Sequence, residues 1–154
     1  MRSRFSAPVS KVTSAAAKTD VTRSRFSGRL RSLVPAIVPD ISKALFAAGE
    51  ALAVDAQTSI TEGSVSGRQH VSSAAGQPPN ADTHHLANNI EVTQDTPLKV
   101  VVTSKAKYSA SLEFGTSRMS ERPFMRPAAE RARPEINKRI SRAARRAIRQ
   151  HFRG

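Results

Sequence analysis

The stretch YSASLEFGTSRMSERPFMRPAAERARPEI, residues 108–136, contains the change of structural period that decides the fold. Apolar and polar side chains alternate over its first seven residues, which predicts a β-strand with one apolar face. Gly115 suits a tight turn, and Pro123 and Pro127 stiffen the connection that follows. From Pro127 onward apolar residues recur every four positions, which predicts a helix. We therefore expect a strand, a hinge and a helix in this order.

Two further runs upstream of this stretch show the same two-residue alternation. Ile90 and Val92 alternate with polar neighbours, and a turn at residues 95–97 separates them from the run at 98–103. Together with residues 108–114, these runs predict a three-stranded antiparallel meander. Such a meander has one apolar face, which needs a cover.

A long helix is predicted on the N-terminal side of the meander, from about Pro39 to Glu62. Pro39 suits the first turn of a helix, and Gly63 suits a residue that ends one. The helix is expected to cover the meander, which gives an α+β fold. Its apolar residues recur at spacings of three or four and share one face: Ile41, Leu45, Ala48, Leu52, Ala56 and Ile60.

The remaining segments define the expected domain organisation. Residues 1–25 are predicted to be a basic, flexible arm, and residues 26–154 a single domain. Within this domain, residues 63–83 are rich in Gly, Ser and Pro, which predicts a long loop. Loops of this length are usually functional or disordered, and in an assembly protein the functional version would reach a neighbour. The final helix is expected at residues 127–152, with Pro134 kinking or restarting it.

The formal net charge of +13 is concentrated at the two ends of the chain. Residues 1–34 carry eight Lys or Arg and one Asp, a net charge of +7. Residues 35–117 carry five Lys or Arg and eight Asp or Glu (−3), and residues 118–154 carry twelve Lys or Arg and three Glu (+9). Basic ends favour nucleic acid or an acidic protein as the partner, and the alternative is a solvated helix face with a loose tail. The arginines expected to make these contacts are Arg139, Arg142, Arg145, Arg146 and Arg149.

The sequence contains no signature of an enzyme or a metal site. The chain has no Cys, and its four His lack the spacing of a helical zinc pair. No phosphate-binding loop, dinucleotide fingerprint or nucleophile elbow occurs. Glu113 lies where a catalytic acid could act, but it has no matched partner, which favours a structural or interface role. We expect no catalytic residue, cofactor or metal, and no membrane partner, because no apolar run approaches the roughly 20 residues of a membrane span.

Residues 108–136 resemble the signature of the neck or tail-completion family of long-tailed phages of the lambda and Hong Kong ninety-seven type. The shared pattern is an aromatic residue followed by Ala, the run Glu-Phe-Gly-Thr, then Arg-Pro-Phe and a Pro-Ala helix start. The segment SAAGQPPNADTHHLANNIEV, residues 73–92, resembles the family's pattern before the first strand, and the likeness covers about residues 26–150. His84 stands where the family usually has Gly, so the local turn is expected to differ.

The resemblance implies a structural ring subunit of the virion neck, assembled in the host cytoplasm and placed around the DNA channel between portal complex and tail tube. A closed homo-oligomer is expected, a hexamer being favoured over a dodecamer. The neighbours would be phage DNA, head-closure or adaptor proteins, and tail-terminator or tail-tube proteins. The residues expected at contacts between subunits or rings, besides the loop at 63–83, are Glu113, Phe114, Gly115, Thr116, Arg122, Pro123, Phe124, Met125 and Pro127.

Two other functions remain open on the sequence alone. A non-sequence-specific nucleic-acid-binding protein would be monomeric or dimeric, and its DNA affinity would fall steeply with salt. A small nuclease or other hydrolase is the second, and the lack of a coherent metal or nucleophile site speaks against it.

Overall fold

The fold is built on two long helices and a small sheet. The computed structural model describes residues 10–153, with side chains for residues 27, 28 and 30–153. The elements in chain order are α1 (Ser10–Thr61), α2 (His85–Asn88), β1 (Ile90–Thr96), β2 (Lys99–Ser104), α3 (Ser109–Phe114) and α4 (Met125–Arg153). The α+β prediction is confirmed: an antiparallel sheet packs on a long helix from the N-terminal half, and a basic helix ends the described chain.

The sheet of the described residues has two strands, so the predicted third strand is wrong. β1 and β2 pair in antiparallel register from Ile90 opposite Ser104 to Thr96 opposite Lys99. Residues 108–114 form helix α3 instead. In a strand, Leu112 and Phe114 would share a face, whereas the helix packs Leu112 against the core and leaves Phe114 exposed.

Helix α1 begins well before the predicted start at Pro39. Residues 1–9 of the expected arm lie outside the described residues, and from Ser10 onward the backbone is helical. Both Pro35 and Pro39 lie inside the helix with their side chains exposed. Each proline removes one backbone hydrogen bond, and packing against α4 offsets this loss along the helix. The predicted C-terminal end near Glu62 agrees with the observed end at Thr61.

Helix α4 runs without interruption from Met125 to Arg153. Pro134 is exposed within it and does not restart the helix, contrary to one of the two outcomes expected. The helix lies antiparallel to α1, because Arg131 pairs with Asp55 near one end and Ser32 contacts His151 near the other. The two long helices therefore form the frame of the molecule.

The core is small and rich in alanine. Twelve hydrophobic side chains of the described residues are buried, and eight of them are Ala; the larger four are Ile60, Leu86, Ile90 and Phe124. Gly49 of α1 allows the sheet to approach closely, since a Cβ there would lie 2.7 Å from Cγ1 of Val100. A core with so few large side chains contributes little burial, and association with other subunits is one way to add more.

The segment at residues 63–83 is a loop, as the sequence predicted, and much of it is tied to its own subunit. A 3-10 turn at Gly67–Gln69 is fixed by a hydrogen bond from the Gly67 amide to the Asp82 carboxylate, 2.8 Å. The Ala81 amide donates to the carbonyl of Ile60 at 2.9 Å. Of its apolar side chains, Val65 and Val71 are exposed. The loop thus belongs to the domain body and presents two apolar side chains to the outside.

Candidate interaction surfaces

Glu113 is the one charged side chain buried among the described residues, and it caps helix α4. Its Oε2 accepts hydrogen bonds from the amides of Phe124 and Met125, at 2.9 and 3.0 Å, and its Oε1 accepts from the amide of Arg126 at 2.8 Å. Phe124 directly precedes α4, and Met125 and Arg126 are its first residues, so no carbonyl of the helix can accept from these amides. The carboxylate also faces the positive end of the helix dipole. Glu113 therefore joins α3 firmly to the start of α4.

Arg126 closes the same junction from the solvent side. Its Nη2 donates to Oε2 of Glu121 at 2.9 Å and to the carbonyl of Glu113 at 3.2 Å. The hydrogen bond and the negative charge of Glu121 raise the pKa of Arg126 above its ordinary value. The guanidinium thereby bridges the end of α3, the connecting loop and the start of α4.

The loop between α3 and α4 is a rigid turn that requires glycine. Gly115 has a φ of +72°, and a Cβ there would lie 2.9 Å from the Met119 carbonyl oxygen. The Arg122 amide donates to the carbonyl of Leu112 at 2.7 Å, and Arg122 Nε donates to the carbonyl of Ser73 at 3.0 Å. The tight turn predicted at Gly115 is therefore present, and Arg122 ties it to the loop at 63–83.

The residues predicted for contacts between subunits fall into two groups. Phe124 is only 1% exposed and belongs to the core of its own subunit, where Met125 packs against it. Arg122, Pro123 and Pro127 are half-buried. Phe114 and Thr116 are exposed, and Phe114 is 75% exposed. The role of these residues in contacts between subunits stays a prediction. Phe114 is the most accessible apolar residue among them.

A cavity of about 230 Å³ lies beside this junction. Three histidines line it, His70, His84 and His85, together with Tyr108 and Arg122. Within the described chain, no three His, Asp or Glu side chains are grouped so that they could hold a metal ion. The imidazoles are therefore part of a polar depression next to the exposed hinge.

His84 adopts the left-handed conformation, with a φ of +56° and a ψ of +4°. It is the one non-glycine residue with positive φ in the described part of the chain. Its position is the one at which the resembled family usually carries Gly, and the turn was expected to differ for that reason. The turn keeps its positive φ, so His84 bears a conformation that glycine adopts at lower cost.

The C-terminal end of α4 lies beside α1 near Ser32. Ser32 Oγ of α1 and His151 Nε2 of α4 are hydrogen-bonded at 3.2 Å. Arg31, which is exposed, precedes Ser32 in the chain. Sequence reasoning found the basic C-terminal helix but could not find this contact, because it depends on the antiparallel packing of two helices far apart in the chain.

The outer face of α4 is covered by cations over its last sixteen residues. All are exposed, and they follow one another at spacings that place them on the side opposite the Ile and Ala residues that face α1. They are Lys138, Arg139, Arg142, Arg145, Arg146, Arg149 and Arg153. Arg142, Arg145, Arg146, Arg149 and Arg153 line one groove. Arg139 lines a second groove at the edge next to α1, with Arg142, Arg146, Ala44 and Ala47. Four of the five predicted contact arginines are thus grouped, and Arg153 joins them.

Comparison with known proteins assigns the family. The family model described as "Bacteriophage HK97-gp10, putative tail-component" matches residues 24–115, which is more than half of the chain. This chain belongs to that family of phage tail components. As such, it is a structural protein of the virion that contacts other phage structural proteins. No curated protein and no solved structure shows significant similarity to it.

The family match covers only part of the surfaces described above. It includes most of α1, the hairpin, the histidine-lined cavity and α3 up to Gly115, and it ends before α4 begins. The cap from Glu113 therefore reaches from the matched region to the first turn of the unmatched helix. None of the described helices is long and apolar enough to cross a membrane.

Proposed function

We propose that this family member is a subunit of the phage neck, which completes the tail and joins it to the head. The subunits form a closed ring around the DNA channel between the portal–adaptor complex and the tail tube. The observation that carries the proposal is the tail-component match over residues 24–115, the whole region from α1 to the hinge. The role is structural, and it involves no catalytic residue, cofactor or metal.

The exposed aromatic side chain of Phe114 supports a contact at the hinge. Its backbone is held between buried Glu113 and the constrained turn at Gly115, so the phenyl side chain projects from a rigid support. Rigid aromatic side chains are frequent anchors of protein interfaces. Of the residues from Glu113 to Pro127 that are expected at contacts between subunits, Phe114 is the one with an exposed large apolar side chain. We assign this surface to the contact between neighbouring subunits.

Ring closure follows from the type of contact. A hinge that binds a different surface of the next copy makes a head-to-tail interface, and such interfaces close into rings or grow into filaments. A hexamer is favoured, since it matches sixfold tail symmetry, and a dodecamer would match the portal. The faces of the ring would contact head-closure or adaptor proteins on one side and tail-terminator or tail-tube proteins on the other.

The variant Phe114→Asp tests the ring. The side chain is largely exposed, so we expect the free energy of unfolding of the subunit to change by no more than about 0.5 kcal/mol. We expect loss of the ring, measured by light scattering after gel filtration, and separate accumulation of heads and tails in infected cells. Phe124→Asp cannot serve here, because that side chain is buried and its loss would unfold the subunit.

The matched control is Leu98→Asp. Leu98 lies at the turn of the hairpin and is 56% exposed, so the substitution places the same charge on an apolar surface position away from the hinge. Rings and infectious particles are expected from this control. Normal joining of heads and tails with Phe114→Asp would contradict the assigned contact, and absence of the chain from electron-microscopy density of the neck would contradict the proposed location.

The alternative is a non-sequence-specific nucleic-acid-binding protein that works outside the neck. The observation that favours it is the groove on α4 that five exposed arginines line. It predicts a monomer or dimer that binds DNA and is missing from finished particles. Mass spectrometry of purified virions separates the two functions directly.

A further inference from the structure

We infer that the arginine-lined outer face of the C-terminal part of α4 binds the phosphodiester backbone of duplex DNA without reading its sequence. The inference deepens the proposed function and rests on it only for the source of the DNA, the genome in the neck channel. The site, here called the arginine face, consists of five arginines of α4 that line one groove: Arg142, Arg145, Arg146, Arg149 and Arg153.

The geometry of α4 suits a rod-shaped polyanion. The five arginines of α4 lie within twelve residues, and the eleven steps from the first to the last cover about 16 Å along a helix at 1.5 Å per residue. On the opposite side, Ala147 is 4% exposed and Ile140, Ala143 and Ala144 are half-buried. Because this seam against α1 fixes the rotation of the helix, the arginine face is held toward solvent.

No carboxylate among the described side chains pairs with the arginine face. Residues 136–153 contain no Asp or Glu. Of the cations on this part of α4, only Arg139 forms an ion pair with a described residue, Glu135, at an N–O distance of 3.6 Å. In the body of the molecule, by contrast, Arg131 pairs with Asp55 and Arg126 with Glu121. An uncompensated cationic face gains affinity for DNA by releasing the counterions of the phosphates.

The composition of the face favours DNA over an acidic protein surface. Protein interfaces have an apolar core with aromatic anchors. In residues 138–153 of α4, the large apolar side chains that are exposed are Ile148 and Phe152, at 38% and 39% exposure. Beyond Lys138 every cation is Arg, whose planar guanidinium binds phosphate oxygens in pairs. Contacts to phosphates position a protein on DNA but carry no base specificity.

Such a face would let DNA move past it. Backbone contacts are equal at every base pair, so a bound duplex can slide without a change in the contacts. In a closed ring each subunit adds one arginine face, and many weak contacts act together on one duplex. The ring would hold the genome in the channel and still permit its passage.

The test uses the full chain with Arg142, Arg145, Arg146 and Arg149 each changed to Gln. Binding of two unrelated duplexes of about 30 base pairs is followed by fluorescence anisotropy at several salt concentrations. The unaltered chain is expected to bind both duplexes equally. Since each neutralised phosphate contact contributes about 0.9 to the slope of log K against log salt, we expect the slope to fall by about 3 to 4 and the affinity by about 100-fold or more at low salt.

The matched control removes the same number of charges from the body. Lys43, Arg68, Lys107 and Arg118 are exposed and form no ion pair with a described residue, so their change to Gln is expected to weaken binding only a few-fold. Circular dichroism establishes that both variants retain the fold.

Three results would overturn the inference. The first is equal weakening in both variants, which would show a general effect of net charge. The second is a clear preference for one duplex sequence, and the third is tighter binding of polyglutamate than of DNA through the same arginines. A chain found in the neck by microscopy whose DNA affinity does not respond to the arginine change would refute this inference and leave the proposed function intact.

Discussion

Two parts of α1, residues 49–61 and residues 30–38, are held in different ways. From Gly49 to Thr61 the helix is covered by the hairpin, α2 and the start of α4, and Ala56 and Ile60 are at most 1% exposed. Between Leu30 and Val38 the side chains are exposed or half-buried. At this end α4 lies alongside, as the contact between Ser32 and His151 shows.

This difference separates two kinds of sequence requirement. In the body, individual atoms fill fixed positions, as Glu113 does at the start of α4 and Gly49 does under the sheet. At the basic end, an exposed set of arginines supplies a number of charges, and no single one of them is packed. Single substitutions should therefore change stability strongly in the body and weakly at the basic end.

The largest expected effect is that of Glu113→Ala. Three amides at the start of α4, those of residues 124–126, would lose their acceptor in a buried or partly buried place, and hydrogen bonds to a charged group contribute about 1.5 to 3 kcal/mol each in favourable cases. Because water can enter the truncated site, we expect a total loss of about 3 kcal/mol in the free energy of unfolding. Urea denaturation in the Phe114→Asp background measures it without a contribution from association.

Two comparisons sharpen this prediction. Glu113→Gln keeps one acceptor oxygen and should lose about half as much. Glu121→Gln removes only the exposed partner of Arg126 and should lose no more than about 1 kcal/mol. If Glu113→Ala proved no more harmful than Glu121→Gln, the cap would not be the contact that holds α4 to the body.

The elements that the sequence predicted are those specified by local pattern. The alternation around Ile90 and Val92 gave β1, the turn at 95–97 falls at the observed end of the hairpin, and the helix end near Gly63 follows from a residue that favours positive φ. Gly115 was assigned a tight turn, and its backbone has the positive φ that such a turn uses. In each case the deciding interaction lies within a few residues of the chain.

The elements that the sequence missed depend on distant contacts. The alternation at residues 108–114 fits a strand, but the carboxylate of Glu113 meets the amides of residues 124–126, and this contact accompanies a helix at α3. Phe124 was expected at a contact between subunits, while in the structure it lies in the core cluster that also holds Ile60 of α1 and Ala128 of α4. The arginine face likewise needs the packing of α4 on α1 to be oriented.

The two described glycines of α1 allow a direct test of the difference between its ends. Gly49→Ala would place a Cβ 2.7 Å from Cγ1 of the stiff Val100 side chain, and we expect a net loss of about 1 to 2 kcal/mol in stability. Gly28→Ala meets no atom within 4 Å and should gain up to about 1 kcal/mol, because Ala has the higher helix propensity. Urea denaturation of the two variants measures both values.

The signs of the changes in stability caused by Gly49→Ala and Gly28→Ala decide the outcome of this test. If both substitutions stabilise the chain, the sheet can move away from α1 at little cost, and the body is less constrained than its packing indicates. If both destabilise it, the described α1 is equally restricted at both ends. Only opposite signs agree with a tightly packed body end and an open basic end.

The smallest expected effect is that of His84→Gly. This variant separates the effect of the backbone conformation on stability from the effect of the imidazole side chain. A residue other than Gly in the left-handed conformation costs roughly 1 to 2 kcal/mol of stability, and changing His84 to Gly removes this cost. The greater freedom of Gly in the unfolded chain offsets about 0.5 to 1 kcal/mol of that gain. The net expectation is a gain of about 0.5 to 1 kcal/mol, or an increase in Tm of about 2 to 3 °C for a chain of this size. His84→Ala keeps the positive φ and removes only the imidazole, so it should not raise Tm. If Ala stabilised the chain as much as Gly, the gain would come from clearing the cavity that His84 lines, and the turn at residues 82–85 would not depend on a residue tolerant of positive φ.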